Sequence, residues 1–255
     1  DIGNSRIKWA LARSARIGPM RAVERDQFSR FEQWLDKARG IGSIEAVCVA
    51  GAEAEAQLQA ALLDRNLPAA RFARSTVRAA GVTNGYGEPW QLGADRWVAA
   101  LGAWHEAGGK RAICSVSAGT ALTLDVVDAR GRHRGGVIAP GPDLMVGALL
   151  GQTHGIAVRA AHASRTTFRR PTPSLPPLAG NTRDAVWQGS LTAAAALIDR
   201  CVGDVTRRLR TRPRVFLTGG SAKAIAPRLE CRFESLPDLV LRGLRVLAEH
   251  SGDGA

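Results

Sequence analysis

One arrangement occurs twice in this chain and limits its fold more than any other feature. Near the start, "DIGNSRIKWAL" sets a glycine turn and small polar residues ahead of a strand-like run. Midway, "SAGTALTLDVV" repeats the layout: small residues, Gly119 and Thr120, then a strand carrying Thr123 and Asp125. A tight turn between two strands can present backbone N–H groups and a hydroxyl to a phosphate. A third glycine turn, "LTGGSA" at 217–222, follows a strand and opens a helix, where a nucleotide can lie against backbone. One such turn is weak evidence, because most only join strands. Two in corresponding places, with a third, are much stronger evidence for phosphate chemistry.

The rest of the chain alternates strands and helices around these turns. "RIKWALA" predicts a strand, and "FEQWLDKARG" a helix closed by its glycine. "IEAVCVAG" predicts a buried strand, and "AEAQLQAALLDRN" an amphipathic helix. "ADRWVAALGAWHEAGG" predicts a helix ended by a glycine pair. The pattern then restarts. Residues 111–141 read as strand, turn, strand, turn, strand, with "ARGR" as the second turn and the strands as antiparallel neighbours. A long helix is expected at 184–210, a strand at "RVFLTGG", a helix at "SAKAIAPRLE" and an amphipathic helix in "LPDLVLRGLRVLAEH". Segment 162–182, rich in Ser, Thr, Arg and Pro, has no period and predicts an irregular loop.

Several classes are excluded. No GxxxxGK[ST] is present, so there is no P-loop, and no GxGxxG opens a helix after a strand. No apolar run approaches the roughly 18 residues that a membrane span needs. Cys48, Cys114, Cys201 and Cys231 are scattered and form no CxxC pair, which fits reduced thiols in a cytoplasmic protein. The formal charge of +12 suggests nucleic acid at first sight. Only four of the 35 basic residues are lysines, however, and the arginines are spread along an alanine-rich chain, as a compositional bias would spread them. No nucleic-acid partner is therefore expected. His105, His133, His154, His162 and His250 show no metal spacing, and none is assigned to catalysis.

The blocks "DIGNSRIKWA", "GYGEPWQLGADRWVAALGA", "SAGTALTLDVVD", "GGVIAPGPDLM", "GNTRDAVWQGS" and "LTGGSA" occur in the order found in type III pantothenate kinases. The chain resembles that family over nearly its whole length. The resemblance implies an α/β protein with a duplicated ribonuclease-H-like (actin-like) fold, in the superfamily of acetate and sugar kinases, Hsp70 and actin. Its halves would be residues 1–110 and 111–255, with the active site in the cleft between them. It implies ATP-dependent phosphorylation of pantothenate, the first step toward coenzyme A. In that family the acidic residue closes an apolar first strand, so the numbering here is expected to begin just after that strand.

Residue roles follow from the resemblance. Asp1 would hold Mg²⁺ through water, since Mg²⁺ keeps several waters and takes few carboxylates. Gly3, Asn4 and Ser5 would wrap phosphate oxygens, and Lys8, on the same strand face as Asn4, would reach a phosphate. Gly119, Thr120, Gly219 and Gly220 would complete the ATP site. Asp95 would be the base that takes the proton of the pantothenate hydroxyl, with Tyr86, Gly93, Ala94 and Arg96 holding the substrate. Thr182, near the cap of the long helix with Asn181, would reach the pantothenate of a neighbouring subunit, so a homodimer is expected. The chain departs from the pattern at Ser117, where the family carries an aspartate that binds potassium or ammonium; a neutral hydroxyl there puts that cation in doubt. Two alternatives stand beside this reading: another small-molecule kinase of the superfamily, and an accessory factor in gene regulation.

Overall fold

The computed structural model describes residues 1–13, 16–162 and 178–250. They form two compact units, one of Asp1–Ile113, Val127–Gly135 and the segment from Asp238 onward, the other of Cys114–Val126 and Gly136–Pro237. The 163–177 part of the predicted loop lies outside the described residues.

The first unit runs through β1 (Arg6–Trp9), β2 (Ala12–Arg13), β3 (Arg16–Ile17), β4 (Arg21–Glu24), α1 (Phe28–Leu35), β5 (Ile44–Ala46), α2 (Ala52–Leu63), β6 (Ala70–Phe72), β7 (Arg78–Ala79), β8 (Val82–Thr83) and α3 (Ala94–Glu106). β1 pairs antiparallel with β4, Ile7 opposite Val23, and β5 pairs parallel with β6, Ile44 opposite Ala70. Ile2 bridges these two ribbons, antiparallel to Ile7 and parallel to Cys48. Its N–H donates to Val47 O at 2.8 Å, and its carbonyl accepts from Val49 N at 3.0 Å. Phe28, Phe31 and Leu35 of α1 share one helical face and are buried with Ile2, Ile7, Leu58 and Leu62. α1 starts and ends earlier than the sequence predicts. Gly40, at φ +69°, lies past the helix end instead of capping it.

The second unit is built on β9 (Ile113–Ala118), β10 (Ala121–Val127) and β11 (His133–Pro140), followed by α4 (Pro142–Gln152), α5 (His154–His162), α6 (Thr182–Leu209), β12 (Arg214–Thr218), α7 (Ala222–Ile225) and β13 (Glu234–Ser235). These five strands form one sheet in the order β11-β10-β9-β12-β13. β9 and β10 are joined by only two residues and so run antiparallel, whereas β12 and β13 are parallel. The sheet is mixed and the protein is α/β, in the order a ribonuclease-H-like half requires. Leu191, Ala195, Ile198 and Val202 of α6 bury against Val116, Leu124 and Leu217 of the sheet. Asn181 caps α6, accepting from Asp184 N at 2.9 Å. The predicted helix at 221–230 shrinks to α7 and a 3₁₀ turn, because Pro227 cannot donate to continue it.

α8 (Leu239–His250) returns to the first unit and crosses α3 at a glycine pair. A Cβ on Gly243 would stand 1.9 Å from Val98 O, and one on Gly102 would stand 2.7 Å from Leu239 O. Among the described residues, no helix is long and apolar enough to cross a membrane.

Candidate active site

In the first unit the opening turn and α3 bring the predicted chemistry together. Gly3 N donates to Arg6 O at 2.9 Å and Lys8 N to Asp1 O at 2.9 Å, which folds residues 1–8 into a tight hairpin. Lys8 Nζ therefore stands 3.5 Å from Asp1 Oδ2, with both side chains largely buried. Burial pushes the Lys8 ammonium below its ordinary range and Arg6 adds to this, while the negative field of Asp95 opposes them. Lys8 thus lies in the field of two predicted site carboxylates. Asn4 and Ser5 are exposed at the bend, and the Ser5 carbonyl accepts from Arg25 N at 2.9 Å.

Asp95 sits in the first turn of α3, which Gly93 caps from an extended conformation. Its Oδ1 accepts from Arg96 N at 2.8 Å. Ala94 opens the helix, and Trp97, Val98, Ala100 and Leu101 are all fully buried behind it, so the turn carrying Asp95 is rigidly seated. Arg96 is buried too; its Nη1 donates to Tyr86 Oη at 3.3 Å, with its guanidinium 5.9 Å from the Tyr86 ring centre. The structure adds His133, which the sequence reading passed over. It is buried, its ring lies 5.8 Å from that of Tyr86, and a Cβ on Gly85 would stand only 2.0 Å from its carbonyl oxygen. A lone histidine without metal or triad spacing gave no sequence signal for this.

In the second unit Gly119 and Thr120 form the turn between β9 and β10, with Thr120 exposed. Gly219 and Gly220 follow β12. Gly219, at φ +102°, packs so tightly that a Cβ would meet Ala118 O at 2.4 Å. The two predicted turns are therefore neighbours at one end of the sheet. Ser117 is half-buried on β9, and Asp125 is buried on β10. Asp128 serves its own turn, accepting from Arg130 N and Arg132 N. Thr182 lies elsewhere, on the rim of an apolar groove with Met145, Leu149, Ile156 and Val186. Among the described residues, no three His, Cys, Asp or Glu side chains cluster as a metal cage. Asp1 offers a single carboxylate, which suits a cation that keeps its waters.

The profile of the type III pantothenate kinase family matches residues 1–204. Curated relatives of that name include one from Nitrosococcus oceani, 38% identical over 98% of this chain and 92% of its own length. Another, from Methylibium petroleiphilum, is 34% identical over 99% and 98%. Among solved structures, a Campylobacter jejuni protein named as a Baf family transcriptional activator superposes with a TM-score of 0.50 at 17% identity, covering 99% of this chain and 97% of its own. That likeness concerns the fold alone. By profile and by near-complete alignment to curated relatives, the chain belongs to the type III pantothenate kinase family.

Proposed function

We propose that the chain transfers the terminal phosphoryl group of ATP to the primary hydroxyl of pantothenate, yielding ADP and 4′-phosphopantothenate, the first step toward coenzyme A. The observation that carries this reading is the group on α3: Asp95, whose negative field reaches Lys8, followed by a buried Arg96 bonded to Tyr86. Phosphoryl transfer requires positioned phosphates, charge neutralisation and a base at the attacking oxygen. Asp95 accepts the hydroxyl proton as the new O–P bond forms and the bond to ADP breaks. Arg96 and Tyr86 hold pantothenate, whose carboxylate suits a guanidinium. Backbone N–H groups of residues 3–5, the Lys8 ammonium, the Thr120 hydroxyl and the 219–220 turn hold phosphate oxygens. Asp1 would hold Mg²⁺ through water, and that ion would offset phosphate charge.

With Ser117 in place of a carboxylate, only weak dependence on potassium or ammonium is proposed. The proposed assembly is a homodimer in the cytoplasm, with Thr182 and its apolar groove facing the second copy. The regulatory alternative is not favoured, because Asp1, Asp95 and Thr120 are all retained. The test is incubation with ATP, Mg²⁺ and pantothenate in sodium, potassium or ammonium salts, with 4′-phosphopantothenate read by mass. Product absent in every salt would refute the function. Strong saturable activation by potassium or ammonium would refute the weak-cation reading alone.

A further inference from the structure

Asp143 and Ser221 have no part in the mechanism above, yet they link two turns that flank the Gly119–Thr120 turn. On one side, Gly141 N donates to Thr120 O at 2.8 Å, and a Cβ on Gly141 would stand 2.1 Å from Gly119 O. On the other side, Ser221 N donates to Ala118 O at 2.9 Å, and Gly219 lies against the backbone of Ala118. Three stretches distant in sequence thus meet backbone to backbone at residues 118–120. Glycine is needed at 141 and 219 because no side chain fits those approaches. Asp143, in the first turn of α4, ties the two outer turns to each other: its Oδ2 accepts from Ser221 Oγ at 3.2 Å, across 78 positions of sequence. Ser221 is buried, so its hydroxyl has little competition from water.

We propose that Asp143 is a positioning residue for the nucleotide. Through Ser221 it fixes the 219–221 turn against the 118–120 turn, and so sets the spacing between the Gly219–Gly220 backbone and Thr120. This rests on the reading that those turns hold ATP. A carboxylate that acts by accepting one hydrogen bond is replaceable by an amide that accepts the same bond; a carboxylate that acts by its charge is not.

The experiment measures binding of a non-hydrolysable ATP analogue with Mg²⁺ to the wild-type chain, D143A, D143N, S221A and the double variant D143A/S221A, together with the pantothenate KM of each. Losing one such bond should weaken analogue binding about fivefold in D143A and in S221A. The double variant should be no weaker than either single one, D143N should keep most of the affinity, and the pantothenate KM should stay near wild type. Unchanged binding in D143A would overturn the proposal. So would D143N as weak as D143A, additive losses in the double variant, or an equal rise in pantothenate KM. If D143A fails to fold, D143N and S221A decide the question by the same criteria. A wild-type chain that does not bind the analogue would remove the ATP reading itself and the latch with it, an outcome distinct from the others.

Discussion

In the proposed mechanism Asp95 is the general base. The buried row behind it on α3 seats its turn, and the nearby Lys8 ammonium favours its ionised, proton-accepting form. Asp95→Asn keeps the size and the acceptor for Arg96 N but removes the proton-accepting charge. Its kcat should fall by roughly 10²–10⁴-fold, with the melting temperature near wild type. Turnover close to wild type, measured by product formation at saturating ATP and pantothenate, would remove Asp95 from the mechanism. The place of this residue at a helix start, after an aromatic-containing loop, was legible in "GADRW", while its role as base was read from the family resemblance. His133 was not legible, because its importance lies in what its ring and carbonyl touch. Tyr86 and Gly85 come from a loop almost fifty residues earlier, and no local spacing announces that meeting.

At the level of elements, α3 is held from behind by α8 through the crossing at Gly102 and Gly243. The backbones approach so closely that a methyl group on Gly243 would overlap the Val98 carbonyl. Gly243→Ala must therefore push the helices apart and tilt the turn that carries Asp95. The expected loss is at least about 2 kcal/mol of stability, as for overpacked cores, with a fall in kcat alongside. Gly203→Ala is the control: it lies within α6, where a Cβ would meet only the Arg207 guanidinium end at 3.5 Å. Higher helix propensity should there leave stability unchanged or raise it by up to about 1 kcal/mol. Denaturant melts of both variants check the contrast, and equal losses would show that the crossing is not special. α6 could be read from sequence because it buries a periodic face, whereas α3 is buried on every side from Arg96 to Trp104 and was marked by the glycine pair that ends it. α4 was not foreseen, because "PDLMVGALLGQ" is apolar and glycine-rich on every side and shows no helical period. The short β6 and β13 were missed for a different reason: two or three residues carry too little pattern.

Across the whole molecule, the two units can be compared strand by strand. The second has a continuous five-stranded sheet with the six-residue β9 at its centre. The first has the same neighbours in two separate ribbons, β4 with β1 and β5 with β6. Ile2 lies between them, bridged antiparallel on one side and parallel on the other. A cavity of about 550 Å³ opens there, lined by Ile7, Trp9, Phe31, Ile44, Leu58 and Leu62 among others. Ile2 is buried at this joint, so Ile2→Ala keeps the backbone bridges but removes apolar surface shared by both ribbons. It should cost about 2–5 kcal/mol of stability, read by denaturant melts, and amide exchange in β1 and β5 should quicken together. Unchanged melting, or faster exchange in one ribbon alone, would show that Ile2 does not join the two.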